Sequence, residues 1–269
     1  MGASATSTRL QFRRPAGIAP AAVVLLAATA GPAIASPCAF EPQGGGRVAG
    51  IIDARSFRLQ DGREVRLAGI EPIASEKQGV SRTQALARIL TGREVELRGD
   101  DDTPDRYGRQ PAFVFLVPAK TLLQGELLAQ GEALASATVT DKACASLLMA
   151  AEAAARQAKL GVWADPSAIK NSESPGDILA GMGRLTLVEG KVLSVRQAGA
   201  TTYLNFGRNW TRDFAVTISR RVIPVFEAAG LVPKSLENRR IRVRGFVEAR
   251  GGPRIEVLRV EQIELLGEN

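Results

Sequence analysis

The chain has 269 residues, 45% of them hydrophobic, which is enough for two ordinary domains with cores of their own and too apolar for a disordered tail. It contains no histidine, which excludes Ser-His-Asp and Cys-His nucleophiles, histidine metal sites and imidazole acid-base chemistry. Its 35 basic and 28 acidic residues leave a formal charge of +7, a balance that favours anionic partners such as nucleic acid or a membrane surface without choosing between them.

Residues 1–35 read as a secretory signal peptide. Arg9, Arg13 and Arg14 precede an apolar run over residues 18–30, and Ala33-Ile34-Ala35 before Ser36 is a small-residue cleavage site. Cleavage is expected after Ala35, giving a secreted or periplasmic protein; Arg13-Arg14 also allows twin-arginine export. Removing this segment takes away three arginines and no acid, so the mature chain carries +4. Both cysteines, Cys38 and Cys144, remain. In an oxidising compartment they most simply form a disulfide, with two buried thiols as the alternative.

Residues 36–46 are expected to form a loose mature N-terminal segment. Strand chemistry begins at Arg47. Residues 48–52, 56–59 and 64–70 are three short antiparallel strands, broken at Asp53-Ala54-Arg55 and turned at Asp61-Gly62. A helix over 75–90 is expected to be capped by Ser75 and closed at Thr91-Gly92. A strand over 94–98 and an acidic loop, Asp100-Asp101-Asp102, lead to a strand over 112–117. Helices are expected at 122–131 and 142–159. Short strands with helices at one end suit a small closed barrel, placed at residues 47–163. Residues 164–183, rich in Gly, Pro and Ser and without apolar periodicity, read as a linker.

Residues 184–269 repeat the strand-rich pattern. Strands are expected at 190–195, 202–206 and 213–218, a helix at 221–229, and strands at 240–247 and 254–265. This is the order of an OB-fold, a five-stranded barrel that often binds oligonucleotides. The fold class is therefore mainly β with α (α+β), built as two small OB-type five-stranded barrels. The second region carries nearly all of the mature excess charge, +4 over residues 164–269 against +1 over 47–163. Tyr203, Phe206, Trp210 and Phe214 are interleaved with Arg208 and Arg212 there. Tyr203, Arg208 and Trp210 are candidate base-stacking and phosphate-binding residues, while Phe206 and Phe214 are expected in the core. Arg239, Arg240, Arg242 and Arg244 form either a phosphate track or the solvated side of a strand.

Five stretches of the first region carry a resemblance: residues 50–53, residues 61–70, Asp105-Arg106-Tyr107-Gly108-Arg109, residues 126–131 and Lys159-Leu160-Gly161-Val162-Trp163. In order and spacing, residues 47–163 resemble the staphylococcal nuclease (thermonuclease) family, calcium-dependent phosphodiesterases of DNA and RNA on an OB-type barrel. The resemblance implies phosphate-gripping arginines at Arg66 and Arg109 and an aromatic near the nucleotide at Tyr107. Planar guanidiniums suit phosphate, and carboxylates suit a hard metal ion.

The implied metal positions depart from the family pattern. Asp53 remains, Arg55 stands where a direct calcium ligand is expected, and Glu71 replaces an aspartate at the second ligand position. The expected general-base position holds Ala74, and Glu76 is nearby at the wrong spacing. No cofactor is expected, and calcium only if Asp53 and Glu71 still serve a working site. Arg55 could instead join Arg66 and Arg109 in a metal-free phosphate site. The expected function is that of an exported thermonuclease-like protein that binds nucleic acid, DNA or RNA and single-stranded, with calcium-dependent hydrolysis lost or weak. The alternatives are an active secreted nuclease with a rearranged site and an envelope scaffold that holds protein or glycan.

Overall fold

The computed structural model describes residues 1–4, 38, 40–73 and 79–267. Residues 5–35 of the expected signal peptide and its cleavage site, together with Ala74, Ser75 and Glu76, lie outside the described residues.

The first barrel begins with β1 (Glu41–Asp53), followed by β2 (Ser56–Leu59), β3 (Glu64–Leu67) and β4 (Ile70–Pro72). Next come α1 (Gly79–Leu90), β5 (Glu94–Gly99), β6 (Gln110–Leu116), β7 (Thr121–Leu122), α2 (Leu123–Ala129), β8 (Ala133–Ala135) and α3 (Lys142–Gln157). Strand β1 is long enough to pair twice, its first half with β5 and its second half with β2. With β2 against β3, β3 parallel to β6, and β6 against β5, five strands close into a ring. Phe57, Leu67, Leu97, Leu123, Leu128 and Leu148 are among the side chains fully buried inside it.

Strand β1 therefore starts well before Arg47, and residues 41–46 are not the loose segment expected there. The chain passes so close to β5 that a Cβ on Gly45 would stand 2.2 Å from the Val95 carbonyl oxygen. Glycine there permits the strand to pair; it does not break it. The disulfide Cys38–Cys144 ties the residues before β1 to the first turn of α3, where the Asp141 side chain caps the helix by accepting from the Cys144 N–H at 2.6 Å. Buried Gln124 fastens α2 to the barrel by accepting from Val114 N–H and donating to the Ala112 and Ala68 carbonyls.

Residues 164–183, expected as a linker, are folded structure. They contain β9 (Ile169–Asn171) and α4 (Pro175–Leu179); β9 pairs in parallel with the first strand of the second sheet, and Ile178 is fully buried in its core. Three residues of strand and a single apolar anchor are too short to produce a periodic signal. Beyond them lie β10 (Leu185–Lys191), β11 (Ser194–Ala198), β12 (Thr201–Asn205), β13 (Ala215–Ser219), α5 (Ile223–Ala228), β14 (Arg240–Arg250), β15 (Gly252–Val257) and β16 (Ile263–Leu265).

Strands β10 and β11 are two halves of one bent strand, the first on β14 and the second on β12. With β13 parallel to β15 and β15 against β14, this sheet closes by the same strand connectivity as the first barrel. Residues 36–269 form one compact unit. Leu187 of β10 packs against Leu134, Ala155, Val162 and Trp163 of the first barrel. Among the described residues no helix is long and apolar enough to cross a membrane.

Candidate phosphate and nucleic-acid sites

Two turns and strands β3 and β4 meet at one end of the first barrel. The turn between β1 and β2 is held by Asp53, whose carboxylate accepts from the Arg55 N–H at 2.9 Å. This Asx turn projects Arg55 toward β3 and β4. Pairing of β2 with β3 sets Ser56 opposite Arg66, and the short strand β4 brings in Glu71. Across β3, the parallel strand β6 starts just after a turn in which Asp105 accepts from both the Tyr107 and Arg109 N–H groups, at 2.9 and 3.1 Å. Gly108 takes the left-handed conformation that this turn requires.

The side chains so placed form an alternating chain of charge. Arg55 pairs with one oxygen of Glu71, and Arg66 with the other at 3.3 Å. Arg66 also reaches Asp105 at 3.6 Å, and Arg109 holds Asp105 through Nη2 at 2.8 Å and Nε at 3.0 Å. All five are partly buried, with side-chain exposures of 16–29%. Desolvation pushes the Asp105 carboxyl up, but the hydrogen bonds from Arg109 and from the Tyr107 and Arg109 N–H groups outweigh it and hold the pKa at about 2. The same bond raises the pKa of Arg109. Burial lowers that of Arg55, opposed by Glu71 and reinforced by Arg66. Tyr107 is exposed, with the guanidiniums of Arg106 and Arg109 stacked 4.8 and 5.0 Å from its ring centre.

Residues 64–165 match the family model of staphylococcal nuclease homologues. The matched segment covers most of the first barrel and ends before the second. No curated protein matches the chain. The nuclease-homologue segment takes in Arg66, Glu71, Asp105 and Arg109 and starts after the Asp53–Arg55 turn. The match suggests a nuclease-type or nucleic-acid-binding function for this segment. The motifs at 126–131 and 159–163 have a structural reason. Gly131 and Gly161 meet backbone to backbone, the Val162 N–H donates to the Gly131 carbonyl at 3.0 Å, and a Cβ on Gly131 would stand 2.2 Å from the Leu160 oxygen. That contact seats Trp163 between the barrels, where it is buried under Arg156.

The structure thus gathers Arg55, Arg66, Glu71, Arg109 and Tyr107 in one place, with Asp53 under the turn. Sequence reasoning did not single out Asp105, although it stands first in the Asp-Arg-Tyr-Gly-Arg motif. An acid four residues before an arginine in a glycine-bearing turn is the signal that could have found it.

Tyr203, Arg208 and Trp210 line a separate groove on the second barrel, together with Arg196 and Arg254. Phe206 and Phe214 are buried in the core, as expected, with ring centres 4.9 Å apart. The arginines of β14 are neither a phosphate track nor wholly solvated. Alternation puts Arg240, Arg242 and Arg244 on the outer face, and that face docks on α3. Arg244 is buried on Glu152, and Arg242 pairs with Glu189 and Glu264, leaving Arg239 and Arg240 exposed.

Proposed function

We propose that the protein is exported and binds nucleic acid by its phosphodiester backbone through Arg55, Arg66 and Arg109, with Tyr107 beside the nucleotide and with calcium-dependent hydrolysis lost or weak. The observation that carries this reading is the Arg55–Glu71–Arg66–Asp105–Arg109 chain. Each guanidinium has five N–H donors in a planar fork, so pairing with Glu71 and Asp105 leaves donors for phosphate oxygens. The two carboxylates hold the forks in place before a ligand arrives.

The residues present do not fit calcium. A hard divalent ion takes six to eight oxygen ligands. Here both oxygens of Glu71 already accept from arginines, and the guanidinium of Arg55 is a fixed cation next to Asp53. Ala74 offers no base to activate water. Phosphate held on arginines without a base is bound rather than cleaved. The Cys38–Cys144 disulfide suits an oxidising compartment and supports the reading of residues 1–35 as an export signal.

The test is a supercoiled-plasmid assay of the purified protein with calcium and with chelator, run beside a salt titration of DNA and RNA binding. The expected result is salt-dependent binding, weakened by Arg66→Ala, with no calcium-dependent nicking. Calcium-dependent nicking that vanishes in Arg66→Ala would replace this reading by an active nuclease. Absence of binding at low salt would replace it by an envelope scaffold for protein or glycan.

A further inference from the structure

The groove on the second barrel has a volume of about 760 Å³, within the range of roughly 300–1,000 Å³ of well-formed ligand sites. Its floor is one face of β11, β12, β13 and β15. Leu204, Val216 and Ile255 point into the core, so alternation turns their neighbours Tyr203, Ala215 and Arg254 to the groove. Register sets Arg196 opposite Tyr203 and Arg254 opposite Ala215. The Arg254 guanidinium lies 5.5 Å from the Tyr203 ring centre, and its buried Nε has no hydrogen-bond partner among the described residues.

The wall is the loop between β12 and β13. Its two ends are pinned in the core by Phe206 and Phe214, and its interior is tied by the Asp213 carboxylate accepting from the Asn209 N–H at 2.8 Å. Trp210 at the tip is 74% exposed. Arg196, Arg208 and Arg254 line the same groove, and among the described residues no acidic side chain does.

We infer that this groove is a second binding site, separate from the arginine chain of the first barrel, and that it takes unpaired nucleotides of a single-stranded nucleic acid. Bases stack on Tyr203 and Trp210, whose flat faces accept any base. The phosphates lie on Arg196, Arg208 and Arg254. A duplex buries its base faces in its own stack and offers these rings nothing. The inference does not depend on phosphate binding at Arg55, Arg66 and Arg109.

The test uses the whole protein and a fluorescein-labelled oligothymidylate of about 12 nucleotides, inside the roughly 4–16 nucleotide footprint of such barrels. Because Trp163 is buried and Trp210 exposed, tryptophan quenching on titration reports the groove. Quenching is expected with the single strand and not with a duplex of equal length. Three phosphate contacts predict a slope of about −2 in log affinity against log salt. Read by fluorescein anisotropy in the Arg55→Ala, Arg109→Ala background, Trp210→Ala and Tyr203→Ala should each weaken binding about ten- to hundredfold and Trp210→Phe should keep most of it, while the Arg55→Ala, Arg109→Ala variant by itself should leave the Trp210 quenching intact. Equal quenching by duplex, unchanged affinity in both alanine variants, or a preference for heparin or an acidic peptide would overturn the inference. Trp210 makes no core contact, so its alanine variant is expected to keep the wild-type unfolding midpoint and remain interpretable.

Discussion

Arg244 of the second barrel lies bidentate on Glu152 of α3 in the first, at 2.8 and 2.9 Å, with both side chains buried. Glu152 also accepts from the Ala135 N–H and from Arg156, and Arg156 passes the chain on through Glu264 to Arg242 and Glu189. A buried pair adds little net stability, because desolvation offsets attraction, but it fixes one arrangement of the groups it joins. Arg244→Met, which leaves the Glu152 charge without its main partner, is expected to cost about 3–5 kcal/mol in urea unfolding. Adding Glu152→Gln should recover part of that loss, and the two barrels should unfold in one transition. Independent unfolding of the barrels would contradict this coupling.

The Asp105 carboxyl has a pKa of about 2 in the folded protein against an ordinary 3.8. A depressed acid contributes stability that is complete above the ordinary value and lost as pH falls through the folded one. Urea midpoints are therefore expected to hold from neutral pH down to about 5 and to fall between about 4 and 2. Asp105→Asn should be less stable at neutral pH and lose much of that slope. An unchanged slope would place the acid sensitivity elsewhere.

Glu71 is bound to Arg55 and Arg66, and Ala74 stands at the expected base position. Arg55→Asp frees one oxygen of Glu71 and sets a carboxylate beside Asp53. Calorimetry should then detect calcium binding absent from the wild type. The Arg55→Asp, Ala74→Glu double variant should also gain calcium-dependent plasmid nicking. No calcium binding in either variant would mean that more than these two positions separate this site from a working one.

The Cys38–Cys144 disulfide closes a span of 106 positions and anchors the residues before β1 to α3. Reduction, or Cys38→Ser with Cys144→Ser, is expected to lower stability by about 2–5 kcal/mol in urea. The double serine variant should no longer respond to dithiothreitol. A wild-type midpoint insensitive to reductant would show that the crosslink constrains little of the unfolded chain.

Much of the molecule was legible in the sequence because its signals are local. Alternation marked the strands of both barrels, an alanine-rich run marked α3, and the family motifs marked Arg66, Arg109 and Tyr107 by spacing. Two errors arose where local chemistry pointed the wrong way. Residues 36–46 were expected as a loose N-terminal segment, yet residues 41–46 pair with β5 as the start of β1. Residues 164–183 read as a linker, yet Ile178 is buried and β9 pairs with β10.

Residue content and local pattern suffice to say that the chain lacks imidazole chemistry, carries a crosslinkable cysteine pair, and builds two barrels, one of them with the nuclease-homologue motifs. What the charges do is set by long-range packing. Period-two alternation puts Arg242 and Arg244 on the outer face of β14, but whether that face meets water, phosphate or another barrel depends on residues far along the chain. The same holds for Arg55, Arg66 and Arg109, joined through Glu71 and Asp105 from separate loops, and for Arg254 beside Tyr203. Charge is written residue by residue, whereas its partner is chosen by the fold.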